Sequence, residues 1–234
     1  MRRNTVILIV SMLLVVPLRA GEHGLTLSLT GSYTTGARIT SDVFRTDEFT
    51  ADRLISANYG VGFDVRWNLP GERYTIGAAF ERVSGVDRRS VLYTQYNFLA
   101  VPYEESYEVQ GVELSGSFIV PISSDELRFS LGGGAGLYEG SRTYTIAGVR
   151  AETTTATQQY AGIHVMTGVD YRFHSVLGLR FEVKFRDPHF TVTSQFRQQS
   201  ATYQGRRIPL PQASDNSTVN LFGVNYRGGI VVTL

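Results

Sequence analysis

Three short runs in this 234-residue chain set opposite charges two positions apart: Asp64 with Arg66, Asp170 with Arg172, and Arg180, Glu182 and Lys184 in succession. In an extended chain such spacing puts the charges on one face. Glu81, Glu113, Arg128, Arg186 and Arg227 fall on the polar positions of similar alternating stretches. Carboxylates facing cations can satisfy one another as a buried network, exchange partners as a gate in a narrow conduit, or supply an acid and a base for catalysis. The network is the reading preferred here, formed by Asp64, Arg66, Glu81, Glu113, Arg128, Asp170, Arg172, Arg180, Glu182, Lys184 and Arg227, with Arg186 on the same face.

Other chemistry finds less support. Of His23, His164, His174 and His189, only His164 falls mid-stretch on the polar face. A hydrolytic triad needs a nucleophile, a base and an orienting acid within hydrogen-bond reach. No spacing singles out one serine for it, and a satisfied interior histidine is the simpler reading. His174 and His189 have no metal-ligand neighbours at useful spacing, so no catalytic residue, metal or cofactor is expected. Gly132 to Gly136 (GGGAG) lacks the Lys and Ser/Thr of a phosphate loop and sits in a strand pattern. Glycine there allows close packing or a bend.

The elements that position these residues alternate apolar and polar side chains at period two, the mark of half-wet strands. The stretch Leu54 to Leu69, LISANYGVGFDVRWNL, puts Ile55, Tyr59, Val61, Phe63, Val65, Trp67 and Leu69 on one face and Asn58, Asp64 and Arg66 on the other. The same pattern runs over Leu25 to Tyr33, Arg73 to Val83, Gly111 to Val120, Leu127 to Tyr138, Ala161 to Phe173, Leu177 to Arg186 and the final LFGVNYRGGIVVTL. Short joins at Asn68 to Glu72, Pro121 to Glu126 and His174 to Val176 interleave with long ones at Thr34 to Arg53, Ser84 to Glu108, Glu139 to Thr157 and Asp187 to Asn216. Strict interleaving predicts an eight-stranded antiparallel up-and-down barrel with its long loops at one end.

Such a meander can hide its apolar face inside, around a greasy ligand, or turn it outward to lipid. Four features favour lipid. The polar face is rich in Gly, Ser and Thr, which suits a crowded interior. Its charges are mixed in sign and closely spaced. Aromatics sit near the ends of the dry face, at Tyr33, Trp67, Tyr74, Tyr171 and Phe173, as interfacial girdles do. The last strand reaches Leu234, as expected where the final strand closes on the first.

The ends and the composition fit this. Arg2 and Arg3 precede an apolar run of eleven, Val6 to Val16, then Pro17 and Ala20, the layout of a signal peptide over 1–20 with the barrel domain over 21–234. Without 1–20 the chain loses three arginines and no acids, so 19 basic side chains face 21 acidic ones. No basic block points to nucleic acid. There is no cysteine, and an exported chain without disulfides needs a large core or a membrane to hold it.

With its leader, eight alternating strands, short turns and long loops, the chain resembles the small bacterial outer-membrane β-barrels of the OmpA barrel-domain, OmpX and OmpW types. The resemblance implies an all-β transmembrane barrel in the outer membrane of a Gram-negative-type bacterium, with both termini and the short turns periplasmic and the long loops extracellular. It implies outer-membrane lipid as a partner. Tyr226, Ile230, Val232 and Leu234 resemble the C-terminal signal read by the barrel-assembly machinery, although many members of that group end in Phe. A non-enzymatic structural or surface-interaction role with a closed or narrow lumen follows, against two alternatives: a narrow channel for small hydrophobic solutes, and a barrel-embedded lipid deacylase. One loop is dense in aromatics, with Tyr93, Tyr96, Phe98, Tyr103 and Tyr107. These could form a surface for an extracellular ligand, or extend the hairpin above the membrane and pack on other loops.

Overall fold

In a computed structural model of the chain, residues 24–41, 52–56, 58–71, 73–93, 99–124, 126–153 and 160–234 are described; the expected leader lies outside them. Eight strands make the barrel: β1 (Leu25–Thr34), β2 (Asn58–Asn68), β3 (Tyr74–Tyr93), β4 (Leu99–Ile119), β5 (Leu127–Ile146), β6 (Tyr160–Arg172), β7 (Leu177–Arg186) and β8 (Val224–Thr233). Each pairs antiparallel with the next. β8 pairs back onto β1, from Thr26 opposite Thr233 to Thr34 opposite Asn225. The ring is therefore closed, and within it no strand edge is left open. The joins at 69–73, 120–126 and 173–176 lie at one end. In the first, Gly71 takes a φ of 89° directly after Pro70, a pairing that suits a type II turn.

The lower halves of the strands turn apolar side chains outward. Ile76, Phe80, Leu114, Leu131, Phe63, Leu179 and Ile230 are all exposed on the outer wall. Higher up, β3, β4 and β5 continue without a break, but the apolar residues change face. Val83, Val91 and Tyr93 on β3, Val101, Tyr103, Tyr107 and Val109 on β4, and Tyr138, Tyr144 and Ile146 on β5 are buried on the inner side. The change falls at one level: Phe80 pairs with Val112 and Val112 with Leu137 below it, and Val83 pairs with Val109 above it. A strand keeps its apolar side toward whichever surroundings are drier. The inversion therefore marks the height at which the outside turns from apolar to aqueous. Tyr74 to Val83 covers nine steps, roughly 30 Å of strand, or about 23 Å of height at a tilt of ~40°. That matches the apolar band of about 25 Å expected of a spanning barrel.

β7, β8, β1 and β2 stop near this level and their chains re-form as a second sheet. Its five strands run in the order Asp52–Ile55, Ala37–Ser41, Asp215–Asn220, His189–Gln195 and Glu152–Thr153. Pro188, which has no N–H to give a ladder, and Gly223, with a φ of 104°, sit in two of the breaks. The second sheet packs on the upper inner faces of β3, β4 and β5 through Ala37, Ile39, Val83, Tyr107, Val109, Phe190, Val192 and Val219. Farther out a second apolar cluster joins Val91, Tyr103, Tyr144, Ile146, Phe196 and Ile208. The hairpin of Ser200–Tyr203 with Arg206–Pro209 covers that cluster. The upper end is thus a dry sandwich set over the barrel as a cap.

Three expectations are corrected by this arrangement. The strands expected to end at Val83, to begin at Gly111 and to end at Tyr138 extend to Tyr93, from Leu99 and to Ile146. Most of the described residues in all four joins taken as long loops are strand. Ile55, expected on the outward face with Tyr59, is 3% exposed within the cap core, because the strand breaks between them and the apolar phase inverts there.

Candidate functional site

The inner face of β1 is a row of short side chains, Thr26, Ser28, Thr30, Ser32 and Thr34, all buried. The inner face of β7 carries four long ones, Arg180, Glu182, Lys184 and Arg186. An eight-stranded ring has only enough interior for side chains to fill, so the long groups of β7 reach across to the carboxylates of β2, β3 and β4. Arg180 Nη1 lies 2.7 Å from Asp64 Oδ1, and its Nε 2.7 Å from Asp170 Oδ1. Arg66 bridges Asp64 at 3.1 Å and Glu182 at 2.5 Å. Arg227 lies 3.0 Å from Glu182 and 3.6 Å from Asp64. Lys184 pairs with Glu113. Arg186 pairs with Glu81 at 2.7 Å and with Glu113 at 3.2 Å.

Neutral partners take up further lone pairs and protons of this buried ion network, leaving Arg186 Nε and Arg227 Nε without a partner. Ser32 donates to Glu81 Oε1 at 2.7 Å, Tyr138 donates to Glu113 Oε1 at 2.8 Å, and Arg227 Nη2 donates to Thr30 Oγ1 at 3.0 Å. Five carboxylates (Asp64, Glu81, Glu113, Asp170, Glu182) thus meet five cations (Arg66, Arg180, Lys184, Arg186, Arg227), a balanced layer from the short-turn end to the base of the cap. Arg128 and Arg172 lie lower, around a cavity at the short-turn mouth. Gly134 lets β5 press against β4: a Cβ there would collide with the Leu114 carbonyl oxygen.

His164 is buried, paired in register with Gly134 and Arg186, and its Nδ1 has no hydrogen-bond partner. No serine therefore addresses that nitrogen. Among the described residues no group of three or more His, Cys, Asp or Glu could hold a metal.

The aromatics expected as girdles are exposed on the outer wall at two levels. Trp67, Tyr74, Tyr171 and Phe173 lie toward the short turns, and Tyr33 lies at the upper level, its ring 5.5 Å from that of Tyr59. The aromatic loop surface is corrected. Tyr93, Tyr103 and Tyr107 are 6%, 1% and 2% exposed, facing into the cap, so they offer nothing to an outside ligand. Tyr96 and Phe98 lie outside the described residues. A second ionic cluster, Glu105, Arg142 and Asp215, was not anticipated, because all three fell in stretches taken as loops. The alternation of Tyr103, Tyr107 and Val109 around Glu105 was the available signal.

No family model matches the sequence, and no curated protein matches it. Solved structures do. The outer membrane protein OprG from Pseudomonas aeruginosa is 9% identical, with a TM-score of 0.55 over 92% of this chain and 96% of its own. Neisserial surface protein A is 11% identical, with a TM-score of 0.48 over 89% and 96%. The outer membrane protease OmpT from Escherichia coli is 10% identical, with a TM-score of 0.41 over 94% and 99%. At such identities the likeness concerns architecture, and a fold hosts catalytic and non-catalytic members alike. The chain has the fold of the small eight-stranded outer-membrane β-barrel proteins.

Proposed function

We propose that the chain is an integral outer-membrane protein that acts without catalysis, as a barrel closed to solutes that carries a rigid cap on the outer surface. The spanning position is supported by the apolar outer band, its height of about 23 Å, the aromatics at both of its levels and the shared fold. Reading the short turns as periplasmic puts the cap outside the cell. A conducting pore needs a continuous wet path. Here five acids and five bases cross-link the opposite walls of the lumen, and the apolar core of the cap lies above them.

The cross-linked lumen carries the closed-barrel reading. Purified protein in planar bilayers tests it: the expected record has no steady conductance, and a steady ion current through the native chain overturns it. For the absence of catalysis, the support is a buried His164 whose Nδ1 no serine addresses. Fatty-acid release from outer-membrane lipid by the pure protein, abolished by His164→Ala, would overturn that part.

A further inference from the structure

The five-stranded cap sheet has one face in the dry core and one turned outward, and the outward face is ordered by height. Beneath it, at the upper edge of the apolar band, the barrel wall carries exposed aromatics at Tyr33, Tyr59, Phe185 and Tyr226. The first row of the sheet above them is Arg38, Asn220 and His189, which lie opposite one another in register. The Arg38 guanidinium lies 5.2 Å from the centre of the Phe222 ring, and the His189 and Tyr160 rings lie 3.8 Å apart, centre to centre. The second row is Thr40, Thr218 and Thr191, and the third is Asn216 and Thr193. Above its first row, this face is therefore neutral on the three central strands and presents hydroxyls and amides.

The opposite outward face of the cap, on β3 and β4, is built differently. There Arg82 meets Glu108 at 2.5 Å and Arg88 meets Glu104 at 2.7 Å, so charges close on one another. On the threonine face, Thr193 Oγ1 donates to Asn216 Oδ1 at 2.8 Å, and the Thr191 and Thr218 hydroxyls stand 3.4 Å apart. A hydroxyl engaged in one hydrogen bond keeps capacity for another. Neighbouring strands lie about 4.8 Å apart and alternate residues along a strand about 6.7 Å, so the hydroxyls form a flat grid on which one sugar ring can span two strands. The face also rises directly from the lipid-facing wall, which favours a partner anchored in the same bilayer. We propose that it docks the sugar head group of an outer-leaflet glycolipid, with the acyl part against the wall below and the sugars on the threonine rows. The assignment rests on the reading that puts the cap outside the cell.

The test places isotopically labelled protein in phosphatidylcholine nanodiscs, adds lipopolysaccharide in steps and follows backbone amides by NMR. Saturable shifts are expected at Thr40, Thr191 and Thr218, with none at Arg88 and Glu104 on the opposite face. No shift, equal shifts on both faces, or an equal response to phosphatidylglycerol overturns the proposal. Thr191→Val/Thr218→Val removes two hydroxyls while keeping shape and strand preference, and should weaken binding about tenfold. Arg88→Gln should leave binding unchanged. Undiminished affinity in the double variant overturns the proposal. If that variant does not fold, the native protein decides: Overhauser contacts from the Thr191 and Thr218 methyl groups to sugar protons must be present.

The oligosaccharide cleaved from its lipid separates the sources. Much weaker binding than that of the intact glycolipid supports an anchored partner, and equal affinity overturns it in favour of a soluble saccharide. Nanodiscs offer glycolipid on both leaflets, so this response does not depend on orientation. A cap found on the periplasmic side by thiol labelling, with the nanodisc response intact, removes the reading beneath the proposal. Absent shifts with the cap outside remove the proposal alone.

Discussion

Arg142 shows how much one side chain can organise above the barrel. It is 0% exposed, donates from Nη1 to Asp215 at 2.7 Å and to Ser217 at 2.6 Å, and from Nε to Glu105 at 2.5 Å. Its guanidinium lies 4.6 Å from the centre of the Tyr144 ring. Burial opposes its charge, but Glu105, then Tyr103 and Asp215, outweigh burial and hold the group above the usual arginine range. A raised folded value means that its contribution is complete below the unfolded value and fades only in strong alkali. Cap stability should therefore show no loss from this group anywhere near neutral pH. Arg142→Met leaves two carboxylates buried without a cation and should cost about 3–5 kcal/mol. Faster hydrogen exchange at Val192 and Val219, with the barrel strands unchanged, is the measurement. Adding Glu105→Leu and Asp215→Leu should recover most of the loss, since apolar replacement of a whole buried ionic cluster is often neutral. Gly134→Ala acts lower down: its methyl would meet the β4 backbone, whereas one at Gly31 meets nothing within 4 Å. Gly134→Ala should lower the yield of heat-modifiable folded barrel on gels, and Gly31→Ala should not.

At the scale of the element, the inversion of apolar phase within β3, β4 and β5 locates the boundary between apolar and aqueous surroundings, and it can be probed by charge. Leu114 is 66% exposed on the outer wall below the inversion, and Val86 is 50% exposed above it. Leu114→Arg should cost about 2–4 kcal/mol in urea unfolding from lipid vesicles, and Val86→Arg close to nothing. Equal costs would remove the boundary. The same inversion explains what the sequence could and could not convey. Alternation in one phase made Ile76 to Phe80, Leu127 to Leu137 and Leu177 to Phe185 readable as outward-facing strand, and it placed Asp64, Glu113, Glu182 and Lys184 on the inner face. At Val83, Val109 and Tyr138 the phase changes while the strand continues, so a single-phase reading stops there and leaves Tyr103, Tyr107, Glu105 and Arg142 in supposed loops. Which cation meets which carboxylate was not legible, because Arg66 and Glu182 come together only once the ring closes and long side chains cross it.

At the scale of the whole molecule, a closed lower barrel and a dry upper sandwich make one column with chemically opposite ends. Val109 back to Leu99 adds ten steps, so the cap stands about 25 Å above the apolar band at a tilt of ~40°. The hairpin at its far end turns Ala201 and Ile208 inward and Thr202 outward. Pro70 sits exposed in the first short turn at the opposite end. The chain contains no cysteine, so a single introduced thiol reports its own side of the membrane without interference. With the cap outside the cell, Thr202→Cys should react with a membrane-impermeant maleimide in intact bacteria, and Pro70→Cys only after the outer membrane is permeabilised. The opposite pattern would invert the orientation and put the cap on the periplasmic side. Reaction of both thiols in intact cells would mean that the apolar band does not span a sealed bilayer.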